Sequence, residues 1–444
     1  QPVLRDLNVA ITIDEAGRRI VIKDNGYGIA SDKRFRERML SIGSSHQPAD
    51  KTKYIGFRGI GRISGLPFCR ELTFRNKAGG ETTIQECTWH GEKYRERLSD
   101  ETASGDLSSI INDIVTFNEK EAPAQEEGKH YFEVVLEGYS EDIHETLNDS
   151  NFRLKLTQML PLQYDKRFAK SKTILRRYQA FMNEDLKRFM IPVKLRDEPL
   201  YKAYDDSCVL GSDIIFWEIR GKQKKDQSLG DKIGLLWFTF SAHLRAHGND
   251  QYYGILTRSK NVLMGGNDTF AQVADSSSSY VTTFREMAQA LRGVYGELLI
   301  NSQHLSDNSR RDWFLPDEHS RDLSNAITDF MRRLNQYRYC SSRYFRKQPT
   351  KTKEELKRAL DELVDLKAHS IKFEEFSRRA EQPGAEKQRS TGSLADEDIP
   401  LASQTMKRHY DALMKVIEAY FRKIKKRDLF LELRAFIARH LEQK

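Results

Sequence analysis

Residues 8–14, NVAITID, and 19–26, RIVIKDNG, carry apolar side chains at every second position: Val9, Ile11 and Ile13 in the first run, Ile20 and Ile22 in the second. Between them stands the turn-forming stretch EAGR. Period-two spacing places alternate side chains on opposite faces of an extended chain, so the pair reads as a β-hairpin. The second strand runs straight into DNGYGI, residues 24–29, where Gly and Asn tolerate a left-handed backbone. A strand that ends this way presents one carboxylate and a stretch of bare backbone at the edge of a sheet. Further strands are predicted over 71–76, 82–89, 94–98 and 130–138, which gives an α/β layer up to about residue 150.

The stretch 151–164, NFRLKLTQMLPLQY, reads as a helix followed by a connection and marks a domain boundary. Beyond it, runs at 213–219 and 232–241 flank RGKQKKDQSLGD, a long hairpin whose tip carries Lys222, Lys224 and Lys225. Residues 252–264 and 295–301 are further strand candidates, and 281–293 and 321–339 are helical. From about 350 the pattern becomes purely helical, with Leu356, Leu360, Leu363 and Leu366, and again with Met406, Leu413, Val416, Ile417 and Tyr420. A polar Gly-, Ser- and Pro-containing linker at 381–400 separates the two. The expected fold class is α/β (α+β), divided into 1–152, 153–347 and a helical or coiled-coil arm over 348–444.

Composition narrows the function classes. With 444 residues the chain can form two to four domains, and with 38% hydrophobic and 31% charged residues it reads as a soluble, cytoplasmic protein with large solvated faces. No run approaches the ~20 apolar residues of a bilayer span, and no signal peptide is visible, so no membrane partner is expected. Cys69, Cys87, Cys208 and Cys340 are widely spaced and form no zinc set, so they read as reduced core residues. The excess of 73 basic over 65 acidic residues, a net +8, admits an acidic or nucleic-acid partner without requiring one.

A second glycine turn follows the first. In YIGFRGIGRISG, 54–65, the glycines Gly56, Gly59 and Gly61 precede a helix-compatible apolar stretch, so backbone N–H groups at a helix start would face an anion. A dinucleotide fingerprint is excluded, since Ser64 stands where its last glycine belongs and a polar loop precedes it. The chain also contains no G-x-x-x-x-G-K-[ST] run and no kinase lysine strand with its His-Arg-Asp loop.

The order of these residues resembles the GHKL ATPases with the Bergerat fold, a family that includes gyrase B, HtpG-type heat-shock chaperones, histidine kinases, MutL and MORC. The resemblance implies an N-terminal Bergerat-fold α/β sandwich, a middle transducer-like α/β domain and ATP with Mg2+ as cofactors. It implies that Asp24 accepts a hydrogen bond from the adenine amino group and that Gly26 and Gly28 let the backbone pass close to the base. It further implies that the turn Gly56, Arg58, Gly59, Ile60 and Gly61 closes over the phosphates, with 39–53 as the lid. Lys129, in GKHYFEVVLEG, stands where the family has an adenine-binding threonine. The family's general-base Glu and magnesium-ligating Asn lie on a helix before the first strand, and are expected upstream of Gln1.

Downstream, NSRRDWF, 308–314, is similar to the chaperone's catalytic loop, in which an arginine reaches the γ-phosphate. That role falls to Arg311, with Arg310 as the competing choice, and a guanidinium suits it by its bidentate contacts to phosphoryl oxygens. His243 and His247 stand at i, i+4 but lack the Glu of a zinc protease motif, and read as a surface pair. Residues 275–279 read as a loop, and the basic runs 222–225 and 421–427 as solvated faces or phosphate-backbone contacts. The resemblance implies an ATP-hydrolysing, chaperone-like machine acting on a protein client or effector subunit, as a homodimer or within a complex. The alternative is an ATP-gated nucleic-acid clamp of the MutL or MORC kind, in a bacterial defence system.

Overall fold

The computed structural model describes residues 7–30, 34–42, 61–99, 107–209, 213–222, 230–241, 253–277, 284–308, 310–345 and 351–364. The chain is mixed α/β, and its strands form two sheets. The first has eight strands: β1 (Val9–Asp14), β2 (Arg19–Asp24), β3 (Glu71–Lys77), β4 (Thr83–His90), β5 (Val115–Glu121), β6 (Tyr131–Glu137), β7 (Val193–Leu195) and β8 (Glu198–Leu200). The second has five: β9 (Ile215–Arg220), β10 (Lys232–Phe240), β11 (Gly254–Ser259), β12 (Val262–Met264) and β13 (Val294–Ile300). The helices are α1 (Arg34–Leu40), α2 (Gly91–Ser99), α3 (Leu107–Ile114), α4 (Glu141–Asn148), α5 (Phe152–Met159), α6 (Ser171–Met182), α7 (Thr269–Ser277), α8 (Phe284–Leu291), α9 (Glu318–Phe345) and α10 (Lys351–Val364).

The order of the first sheet is β5-β4-β3-β6-β2-β1-β7-β8. The hairpin predicted at the N-terminus is present, with Val9 opposite Asp24 and Ile13 opposite Ile20. β2 lies between β1 and β6, so Asp24 sits at a strand end inside the sheet, opposite Phe132 of β6. β7 joins the other side of β1 in parallel, Val9 facing Val193, so the sheet continues into residues 193–200. One face of β3 and β4, with Leu72, Phe74, Cys87 and Trp89, is covered by Phe35 and Met39 of α1 and by Ile111 and Ile114 of α3. Such alternation between a packed face and a polar face is what period-two spacing demands.

The second sheet is covered on both faces, and its strands are correspondingly continuous apolar runs. On one side Ile219, Leu236, Phe238 and Leu298 pack against Leu323, Ile327, Phe330, Met331 and Leu334 of α9 and against Leu356, Leu360 and Leu363 of α10. On the other, Leu235, Trp237, Tyr295 and Leu299 pack against Ile174, Tyr178 and Phe181 of α6. An irregularity between Lys232 and Gly234 makes Ile233 an extra residue on β10, and Ile233 and Leu236 consequently serve the same face.

Three local expectations are corrected. Residues 94–98, predicted as a strand, lie in α2, because good helix formers fill 92–98 and Arg95 reaches back to the carbonyls of Pro67 and Cys69 at 3.2 and 2.9 Å. Residues 275–277, predicted as a loop, form the last turn of α7, whose Phe270, Ala271 and Ala274 are buried. The stretch after the second glycine turn is not an α-helix: Gly61–Ile63 and Leu66–Phe68 are 3-10 turns, the second with a proline in its first turn. The tip of the β9–β10 hairpin beyond Lys222, the pair His243 and His247, and everything after 364 lie outside the described residues.

Candidate functional site

Asp24 closes β2 and turns its carboxylate back on the loop it begins. Its Oδ1 accepts from Gly26 N at 2.8 Å, and burial raises the carboxyl above the ordinary aspartate range, with the Gly26 and Phe132 backbone bonds opposing the shift. A Cβ on Gly26 would stand 2.8 Å from Asp24 Oδ1, so the glycine keeps this contact open. Asn25 Oδ1 accepts from Asn8 N at 2.8 Å and carries the β1–β2 pairing one step further.

The loop is then fastened to β3. Gly28 has φ +68°, and a Cβ there would lie 2.6 Å from Lys77 O and 2.9 Å from Asn76 Oδ1. Asn76, 1% exposed, holds Ile29 by both amide ends: Oδ1 accepts from Ile29 N at 2.7 Å and Nδ2 donates to Ile29 O at 2.6 Å. Gly79 N donates to Tyr27 O at 2.9 Å. The second glycine is therefore required by the approach of β3. Gly28→Ala is expected to cost about 2–4 kcal/mol, as left-handed strain plus overpacking, and to lower the urea midpoint of unfolding accordingly.

His130 and Tyr27 add an aromatic wall. Their rings stack with centroids 4.8 Å apart, and His130 Nδ1 lies 2.8 Å from Gly26 O. Lys129, the residue singled out by sequence, has an exposed side chain, and its carbonyl accepts from the buried Lys77 Nζ at 2.8 Å. Asp24, Gly26 and Gly28 thus come together at one strand end, with Lys129 beside them through Lys77. Gly61 starts a 3-10 turn and a Cβ there would meet nothing within 4 Å. Its neighbour Arg62 ties that turn to the end of α1 by a 3.1 Å bond to Ser41 O. Gly56, Arg58, Gly59 and Ile60 lie outside the described residues.

Arg310 and Arg311 occupy a separate, tightly closed loop. Asp307 bridges Phe314, Asn308 N donates to Trp313 O at 2.8 Å, and the Asn308 amide donates to the Asp312 carboxylate. Arg311 adopts φ 56° with its backbone pinned at both ends, to Asn308 O at 3.3 Å and from Gly265 N at 3.2 Å. Its side chain is half-buried, whereas that of Arg310 is exposed.

A third cation that sequence reasoning missed lies beside this loop. Lys260 and Asn261 form the two-residue β11–β12 turn, both at positive φ, and Lys260 is 7% exposed. Burial lowers the Lys260 ammonium below its usual range; the Asp307 carboxylate opposes this and the Arg311 charge adds to it. Ser259 Oγ donates to Asp307 at 2.8 Å and joins the two loops.

The Lys260–Asn261 turn is tied to the segment that leads into β7 of the first sheet. Asn261 Nδ2 donates to Leu162 O at 3.0 Å and sits 3.4 Å from Phe189 O; Val9 N, in the pair opposite Asp24, donates to Pro192 O at 2.9 Å.

Behind the Lys260 turn lies a fully buried charge cluster. The Glu297 carboxylate on β13 accepts from Tyr164 Oη at 2.5 Å, Lys202 Nζ at 3.0 Å, Trp237 Nε1 at 3.3 Å and Arg258 Nε, with both cations and the carboxylate at 0% exposure. Arg258 also donates to Asn261 O at 3.1 Å, so the cluster holds the turn that carries Lys260. Burial pushes Lys202 down, to about 7, against the pull of Glu297. Glu297 is held below the carboxylate range by Lys202 and Arg258 despite its own burial.

Residues 5–115 match the family model described as histidine kinase-, DNA gyrase B- and HSP90-like ATPase. No curated protein sequence matches the chain. Among solved structures, the ATPase and transducer domains of DNA topoisomerase II from Balamuthia mandrillaris align at 13% identity over 73% of this chain and 79% of that one, with a TM-score of 0.34. A superposition that loose bears on neither mechanism nor partners. No helix among the described residues is long and apolar enough to cross a membrane. The matched residues hold the β1–β2 hairpin, the Asp24 turn, both 3-10 turns and the β3–β4 pair, so the likeness to histidine kinase-, gyrase B- and HSP90-like ATPases falls on the segment that carries Asp24.

Proposed function

We propose that the chain is an ATP-binding and hydrolysing GHKL-type machine, chaperone-like in its coupling of nucleotide to a rearrangement of domains or of a dimer. The observation that carries this reading is the half-buried Asp24 carboxylate, held on a preformed glycine turn within the segment that matches the family model. A carboxylate accepts and does not donate, which matches the exocyclic amine of adenine. The division into a nucleotide-binding part at 1–152, a transducer-like part at 153–347 and an arm at 348–444 belongs to the same proposal, as does a cytoplasmic setting.

In this reading Arg311, its backbone fixed on both sides and Lys260 beside it, neutralises charge on the γ-phosphate, and Arg310 is the competing candidate. Gly56, Arg58, Gly59, Ile60 and Gly61 close over the phosphates, and Lys129 lies beside the adenine. Mg2+ enters as the counterion of the triphosphate, and none of the residues named here is proposed to ligate it.

Steady-state ATP turnover with Mg2+ by the 444-residue chain and its Arg310→Ala and Arg311→Ala variants tests the assignment. Loss of about 10²-fold or more in kcat is expected for Arg311→Ala, with KM within about threefold of wild type. A loss confined to Arg310→Ala moves the role to that residue; no turnover in wild type, with ATP still bound, leaves a nucleotide sensor. DNA binding whose affinity falls steeply with salt would favour the nucleic-acid clamp over the protein client.

A further inference from the structure

Three segments distant in sequence converge on one half-buried spot of the second sheet's rim. Asp231 immediately precedes β10, His304 lies in the turn after β13, and His319 is in the first turn of α9. One donor atom from each lies within 4.8 Å of the others. His319 Nε2 stands 3.2 Å from Asp231 Oδ2, and the rings of His304 and His319 are 4.9 Å apart.

Each donor is held by its own backbone anchor. Gly221 N donates to Asp231 O at 2.8 Å across the base of the β9–β10 hairpin. The turn bearing His304 is fixed by Asn301, whose N donates to Ile233 O at 2.8 Å and whose Nδ2 donates to Lys232 O at 2.9 Å. The start of α9 is locked by a reciprocal pair, Ser320 N to Asp317 Oδ1 at 2.6 Å and Asp317 N to Ser320 Oγ at 2.8 Å.

A lone His–Asp pair is ordinary surface chemistry. A second imidazole brought to the same carboxylate from a third element is not needed for that pair, and two nitrogens with one oxygen form a donor set suited to zinc and disfavoured by magnesium. The 3.2 Å separation of the His319 and Asp231 donors is close to the edge of roughly 3.3 Å that a tetrahedral ion with bonds of about 2.0–2.1 Å requires. Side-chain exposures of 29% for His319 and 33% for Asp231 leave a path for an ion and room for a water ligand. Asp317, Glu318 and Asp322 on the same helix start add negative charge nearby.

We propose that Asp231, His304 and His319 bind one divalent ion of the Zn2+ class, distinct from the nucleotide's Mg2+, which cross-links the β9–β10 hairpin, the turn after β13 and the start of α9. The proposal stands or falls independently of the ATPase assignment.

Chelator-treated 444-residue chain, titrated with Co2+ and followed by visible absorption, decides it. One equivalent is expected to bind with Kd below about 10 µM, to be displaced by Zn2+ and to be unaffected by millimolar Mg2+. Zn2+ should raise the melting temperature by about 2–4 °C. The signal is expected to vanish in His304→Ala/His319→Ala and to persist in His243→Ala/His247→Ala. No bound equivalent, or a signal with the opposite pattern, overturns the proposal. Should the first double variant fail to fold by circular dichroism, Asp231→Asn replaces it: weakening of about tenfold or more supports the site, and unchanged affinity in a folded Asp231→Asn protein overturns it.

Discussion

Glu297→Leu is expected to destabilise the chain by about 3–5 kcal/mol, a large share of the ~5–15 kcal/mol that separates folded from unfolded states in most domains. The substitution removes the acceptor of two cations, a phenol and an indole N–H, all in the interior, and leaves Lys202 and Arg258 facing each other without a countercharge. Leaving a buried charge unpaired is the costly event, not the loss of attraction as such. The companion triple variant Glu297→Leu/Lys202→Met/Arg258→Met should recover most of that loss, because it removes the charges together. Urea unfolding of the single and triple variants measures both; equal losses would mean that packing volume, and not charge, sets the cost. The linkage has a definite sign. The folded pKa of Lys202 is depressed, so its contribution is fully present above the ordinary lysine value of about 10.4 and is lost as pH falls through about 7. Wild-type stability should therefore rise between those pH values, and Lys202→Met should flatten that slope.

The second large effect is expected at Asp24. Asp24→Asn should weaken ATP binding by about 10²-fold or more, since an acceptor matched to the adenine amine becomes partly a donor facing it. The variant should be no less stable than wild type at neutral pH. Burial raises the carboxyl, so the ionised form is disfavoured by the fold; that penalty is absent below the unfolded pKa and sets in as pH rises through the folded one. An amide never incurs it, and its oxygen can still accept from Gly26 N. Calorimetric ATP titration together with thermal melting separates the cases: lost binding with an unchanged or raised melting temperature assigns Asp24 to the ligand. Lost binding with a large drop in melting temperature would instead make Asp24 a structural residue. In wild type, affinity should fall on acidification at a pH above the ordinary aspartate value of about 3.9, and Asp24→Asn should show no such step.

What could be read from the sequence was what neighbouring residues decide among themselves. The β1–β2 hairpin and the Asp24 turn are local, with alternation, turn residues and the glycines all within residues 8–29. The buried runs of β10 and β13 and the leucine spacing of α10 were equally legible, because burial on both faces and on one helical stripe leaves distinct patterns. β5 gave no signal, since its sequence VTFNEKE is mostly exposed at a sheet edge and carries no alternation. β7 and β8, three residues each, are strands only because β1 accepts them. At the site, Asn76 reaches Ile29 from 47 positions away and His130 reaches Gly26 from 104, and no local pattern announces such partners. Lys260 was hidden for a related reason: residues 252–264 read as one strand, whereas the chain turns at Lys260 and Asn261 between β11 and β12, where Asp307 and Arg311 are folded against it.

The parallel seam between β1 and β7 sets a condition on how the chain is made. Until residue 195 has left the ribosome, the outer flank of β1 has no neighbour, and its Val9, Ile11 and Ile13 lack the Val193 and Leu195 they pack against. For that interval a nascent chain exposes an apolar strand with unpaired backbone groups, the feature that templates aggregation between copies. A fragment cut near residue 152 would carry the same open flank permanently, and one that extends through Leu200 would close it with the chain's own strands.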